Sequence, residues 1–128
     1  MKALMKALIV DDDRSIRMLM GLIFQEILGD NYEILLAENG EEAMEVAVNE
    51  NNVVLIVSDL NMPKKNGIEL AKFIREYYGK IKIIIISNGA TQCIQDAAKK
   101  TADMFLDKTE FLNNTSEEKQ KEIIFSLL

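Results

Sequence analysis

The chain has 128 residues, 48% hydrophobic and 28% charged, with 21 acidic against 15 basic residues and a net charge of −6. This length predicts one domain with a full core. The acidic balance excludes unaided binding to nucleic acid or to an anionic membrane, and the absence of histidine removes the commonest general base and metal ligand.

The start, MKALMKALIV, is basic, but its apolar run is short and stops at Asp11, so it reads as a first strand at about 5–10 and not as a signal peptide. After the triplet Asp11-Asp12-Asp13, residues Ile16, Leu19, Met20, Ile23 and Ile27 form a one-sided helical stripe that ends at Gly29. A second strand is expected at 33–37. Asn39 and Glu42 then have the spacing of a capping pair, ahead of a helix carrying Ala43, Val46 and Ala47. VVLIVS, at 53–58, is nearly unbroken and rich in β-branched residues, as a strand buried on both faces should be. Asp59 ends it and opens DLNMPKKNG, where Pro63 starts a loop and Asn66-Gly67 leads into a third helix marked by Leu70, Ile74 and Tyr77. A second apolar run at 81–86, interrupted only by Lys82, ends at Ser87. The turn Ser87-Asn88-Gly89 precedes a fourth helix with Ala90, Ile94, Ala97 and Ala98. Cys93, the only cysteine, lies there; it excludes an internal disulfide, fits a reducing cytoplasmic setting and reads as a small packing residue. A fifth strand at 104–106 leads to Lys108, and Thr115 with Glu118 has capping-box spacing before a last helix with Ile123, Ile124 and Leu127. No run reaches the ~18 apolar residues of a membrane span.

Five alternating strand–helix units with short connections predict an α/β domain over 1–128, with one parallel sheet covered on both faces and no output domain. Ligands of open parallel sheets bind at the carboxyl ends of the strands. Asp11, Asp12, Asp59, Ser87 and Lys108 all fall at such ends. Each has a plain structural reading: a helix-capping triplet, a turn aspartate, a strand-ending serine, a solvated lysine. Asp13 is expected to do no more than cap. Gathered on one edge, however, the carboxylates, hydroxyl and ammonium suit Mg2+ and a phosphoryl group.

The motifs LIVDDD, SDLNMPKKNG, IIIISN and FLDK, in this order, resemble those of bacterial response-regulator receiver domains of the stand-alone chemotaxis type, across essentially the whole chain. The resemblance implies a flavodoxin-like (βα)5 fold. It implies that Asp59 accepts a phosphoryl group from a histidine kinase or phosphotransfer protein, and that a downstream protein partner reads the change. By the same resemblance Asp12, Asp59 and the carbonyl of Asn61 hold Mg2+ or Mn2+, with Asp11 acting through water. Lys108 pairs with the phosphoryl group, Ser87 is the switch hydroxyl, and Phe105 is the switch aromatic. The domain is then a signalling module whose only catalysis is its own phosphorylation and dephosphorylation.

Three positions depart from the family pattern. Thr109 follows Lys108 where proline is usual, so the bond between them is expected to be trans. Asn88 replaces a small residue beside the switch hydroxyl and is expected to crowd the phosphoryl position. Phe105 lacks the hydroxyl of the frequent tyrosine. A rival reading is a phosphohydrolase of the haloacid-dehalogenase type, since Asp11-x-Asp13 follows a strand, but the chain is short for it and lacks a late acidic pair.

Overall fold

The computed structural model describes residues 3–128. These form five strands and six helices: β1 (Met5–Val10), α1 (Arg14–Leu28), β2 (Tyr32–Ala37), α2 (Gly40–Asn49), β3 (Val53–Asp59), α3 (Gly67–Tyr77), β4 (Lys82–Ser87), α4 (Gln92–Lys99), β5 (Met104–Asp107), α5 (Lys108–Asn113) and α6 (Glu117–Leu127). The strands make one parallel sheet in the order β2-β1-β3-β4-β5. This is the parallel α/β sheet that the alternating pattern predicts, in the flavodoxin-like order that the family resemblance implies.

The sheet is buried on both sides because alternate residues of β1, β3 and β4 feed two separate cores. Leu8, Val10, Ile56, Ile83 and Ile85 point to the side covered by α2, α3 and α4, where Ala43, Leu70, Ile74 and Ala98 meet them. Ala7, Ile9, Leu55, Val57, Ile84 and Ile86 point to the other side, where Met20, Phe24, Ile27, Phe111 and Ile124 of α1, α5 and α6 close over them. Three central strands thus fix the sheet, and their carboxyl ends rise together at one edge. Among the described residues, no helix is long and apolar enough to cross a membrane.

Several details differ from the sequence pattern. In α1 the buried arc is Met20, Phe24, Ile27 and Leu28, while Leu19, one position and about 100° round from Met20, is exposed. Tyr77 lies on the last turn of α3, beyond the sheet, and is exposed against Phe73. Cys93 is exposed on α4 and does not pack. The cap of α6 is Ser116, whose side chain accepts from the Lys119 N–H; Thr115 instead donates its hydroxyl to the Glu110 carbonyl, 2.7 Å away. The short helix α5 was not foreseen, because six residues with one buried side chain, Phe111, show no period.

Candidate functional site

Register brings the site together. Val10 pairs with Ser58, so Asp11 and Asp59 stand level, one residue further along adjacent strands. Asp59 pairs with Ile86, and Ser87 pairs with Asp107, which puts Ser87 and Lys108 one step beyond on the same edge. Lys108 is the first residue of α5, and its ammonium reaches back between the two carboxylates. Its Nζ lies 2.9 Å from Asp11 Oδ2 and 3.1 Å from Asp59 Oδ1. Asp11, Asp12 and Asp59 each offer a carboxylate oxygen, and these lie within 4.8 Å of one another.

The backbone is built to hold these groups. Asp11 accepts from the Asp13 N–H at 2.9 Å, and its carbonyl accepts from Arg17 Nη1 at 2.8 Å. Asp13 caps α1, accepting from the Ile16 N–H at 3.0 Å, which is the role its position predicts. Asp59 Oδ1 accepts from the Leu60 N–H at 2.9 Å, and the Asp59 carbonyl accepts the Ser58 hydroxyl at 2.8 Å. The following loop is closed by Gly67 N–H donating to the Leu60 carbonyl at 2.9 Å. A methyl group at Gly67 would sit 2.5 Å from the Asp59 carbonyl oxygen, so only glycine permits this approach. Gly40, at the start of α2, has the same role against the Lys65 carbonyl, while the Glu41 N–H donates to Lys64 at 2.9 Å. The sequence marks Gly67 only as a turn glycine before α3 and does not mark Gly40, because close approach of a backbone from elsewhere in the chain leaves no local signal.

Burial sets the electrostatics. Asp11 is 1% exposed and Asp59 8%, whereas Asp12 is exposed. Burial pushes the Asp59 carboxyl above its ordinary pKa; the Lys108 ammonium pulls against this, and the Asp11 charge adds to it. Burial also opposes the Lys108 charge, but its hydrogen bond to Asp11 and the charges of Asp59 and Asp11 outweigh that and hold its pKa above the ordinary value. Lys108 is thus set against a cluster of three carboxylates. The donor set is entirely oxygen, two of the three carboxylates are buried, and the buried Asp59 is held back from ionising; a small divalent cation fits this demand.

The remaining expected residues lie around this centre. Ser87 is buried at the end of β4. Asn88, next to it, is exposed and turns its carboxamide oxygen to Thr109, accepting from the backbone N–H at 2.9 Å and from Oγ1 at 3.0 Å. Phe105 lies within β5, half-buried, and packs against the α2–α4 core. Asn61 is exposed in the bend two residues past Asp59. The Lys108–Thr109 bond is trans, and the described residues contain no cis bond.

Residues 7–117 match the family described as the response regulator receiver domain. This chain belongs to that family. The receiver domain is 34% identical over 101 residues to the transcriptional regulatory protein SrrA of Staphylococcus aureus, covering 79% of this chain and 40% of that protein. It therefore spans well under half the length of the curated relatives it matches. Among solved structures it resembles the response regulator TrrA of Thermotoga maritima, in complex with Mg2+–BeF, at TM-score 0.79 and 33% identity, covering 98% of this chain and 100% of that one. It also resembles the chemotaxis protein CheY4 of Vibrio cholerae at TM-score 0.80 and 27% identity, again over 98% and 100%. Receiver domains work in two-component signalling: they are phosphorylated by histidine kinases and act on downstream effectors.

Proposed function

We propose that residues 1–128 act as one receiver unit that accepts a phosphoryl group on Asp59 and thereby switches a partner-binding surface. The observation that carries this reading is the placement of Lys108, whose ammonium bridges Asp11 at 2.9 Å and Asp59 at 3.1 Å beside a third carboxylate, Asp12. Such an arrangement is poor packing chemistry and good chemistry for phosphoryl oxygens, where alignment and charge neutralisation do most of the work.

Asp59 Oδ1 is already engaged by Lys108 and by the Leu60 N–H. Its other oxygen, Oδ2, is the nucleophile. It forms a P–O bond as the P–N bond of a phosphohistidine donor breaks, and the imidazole of the kinase or phosphotransfer protein leaves. Asp12, Asp59 and the Asn61 carbonyl would hold Mg2+, or Mn2+ in its place, with Asp11 supporting it through water; when bound, such a cation would supply positive charge to the transferring oxygens. Lys108 keeps its bond to Asp11 and passes its second contact from Asp59 to a phosphoryl oxygen. The Ser87 hydroxyl then donates to the phosphoryl group, drawing in the loop after β4, and Phe105 follows into the space released. The changed surface lies over α4, β5 and α6, and a downstream protein binds the phosphorylated form preferentially. The domain performs no turnover of an external substrate. The lone thiol fits action in the cytoplasm.

Incubation with acetyl phosphate and Mg2+ tests the reading. One phosphoryl group should appear by intact mass, and EDTA should prevent it. No mass gain, or steady hydrolysis of p-nitrophenyl phosphate instead of stoichiometric labelling, would sink it.

A further inference from the structure

Helix α5 begins at Lys108, and like any helix it opens with backbone N–H groups that have no partner inside it. The Glu110 N–H is met locally by Asp107 Oδ1 at 2.9 Å. The Thr109 N–H is met from another loop: Asn88 Oδ1 accepts it at 2.9 Å and accepts the Thr109 hydroxyl at 3.0 Å. Both residues flanking Lys108 are therefore fixed, one by its own helix and one by the residue that follows Ser87.

We propose that Asn88 and Thr109 form a clasp that positions Lys108 against Asp11 and Asp59, by tying the first turn of α5 to the end of β4. Asn88 is a positioning residue: it touches no reacting atom and acts through Lys108. The clasp ties the end of β4, which carries Ser87, to the start of α5, which carries Lys108, the two side chains that must converge on one phosphoryl group. A lysine has a long, freely rotating stem, so anchoring its backbone on both sides reduces the freedom lost when it engages the phosphoryl group. Water competes for the clasp, since both residues are exposed, and this keeps its effect moderate. The inference rests on the assignment of Asp59 as phosphoacceptor and Lys108 as its cationic partner.

The test is the rate of phosphorylation by acetyl phosphate in saturating Mg2+. Asn88→Ala removes both bonds and should slow labelling about three- to tenfold, the span expected for one or two neutral hydrogen bonds. Thr109→Val removes only the hydroxyl and should slow it about twofold. The double variant should be no slower than Asn88→Ala, because the two changes remove one interaction. Thr109→Ser, which keeps both donors, should restore the wild-type rate. In a Lys108→Ala background, Asn88→Ala should cause no further loss; a general disturbance of the loop would slow that background too. If wild type labels normally but Asn88→Ala matches its rate, or slows the Lys108→Ala background equally, the clasp is overturned and the assignment of Asp59 stands. If wild type is not labelled, that assignment fails and the clasp fails with it.

Discussion

Replacing Lys108 by methionine should destabilise the metal-free protein and leave the metal-bound protein much less affected. Methionine preserves most of the stem and removes only the charge. The side chain of Lys108 is 14% exposed, and its two partners, Asp11 and Asp59, are 1% and 11% exposed at their side chains. Two buried carboxylates would lose the only cation that is ion-paired with them among the described residues. Removing one partner of a buried ion pair commonly costs about 3–5 kcal/mol. The site lies at the sheet edge with the exposed Asp12 beside it, so a smaller cost, about 2–3 kcal/mol, applies. For a domain of this size that is a melting temperature lower by roughly 10 °C. Thermal melts by circular dichroism at pH 7 in EDTA measure it. Adding millimolar Mg2+ should recover much of the loss, because the cation replaces the missing charge. Lowering the pH should recover it too: without Lys108 the Asp59 pKa rises further, so the carboxyl takes up a proton and sheds its cost. Equal melting of variant and wild type in EDTA would refute the reasoning. So would a deficit unchanged by Mg2+.

Burial raises the Asp59 pKa in the folded state, so stability associated with it is present below its ordinary value and is lost as the pH rises through the raised one. Asp59→Asn should therefore melt higher than wild type at pH 7 in EDTA, and the gap should close as the pH falls to about 4; a constant gap across that range would contradict this. Mg2+ at tenfold excess over its dissociation constant should stabilise the protein by about 1.4 kcal/mol, measured by thermal melting, and Asp12→Ala should abolish most of that gain. Gly67→Ala places a methyl group against the Asp59 carbonyl oxygen and should cost about 1–3 kcal/mol in stability while slowing acetyl phosphate labelling. Unchanged stability and rate would show that the loop has room there.

The sheet was legible because VVLIV and IIII are apolar runs rich in β-branched residues with no polar break, as a strand covered on both faces should be. The convergence of Asp11, Asp12, Asp59 and Lys108 was legible for a related reason: each lies at or just past the end of a strand-like run, and parallel strands in near register end at one edge. Long-range backbone contacts were not legible. Gly67 reads as a turn glycine, and its close approach to Asp59 emerges only when the loop folds back. Asn88 and Thr109 each read as a departure from a family pattern, but 21 positions separate them, and nothing local says that one serves the other. Helix α5 failed for want of length, though Asp107 with Glu110 three residues later was its one available signal. Leu19 and Tyr77 show the usual limit of periodicity: a stripe gives the side of the helix, and packing decides where its border falls.

The most direct test of the central claim is where the phosphoryl group resides. After labelling with acetyl phosphate and Mg2+, borohydride reduction converts an aspartyl phosphate to homoserine, and peptide mass spectrometry locates it. Homoserine at position 59, absent from Asp59→Asn and from an EDTA control, is the expected result. Homoserine at position 11 or 12, or full labelling of Asp59→Asn, would contradict the assignment of Asp59 as the phosphoacceptor.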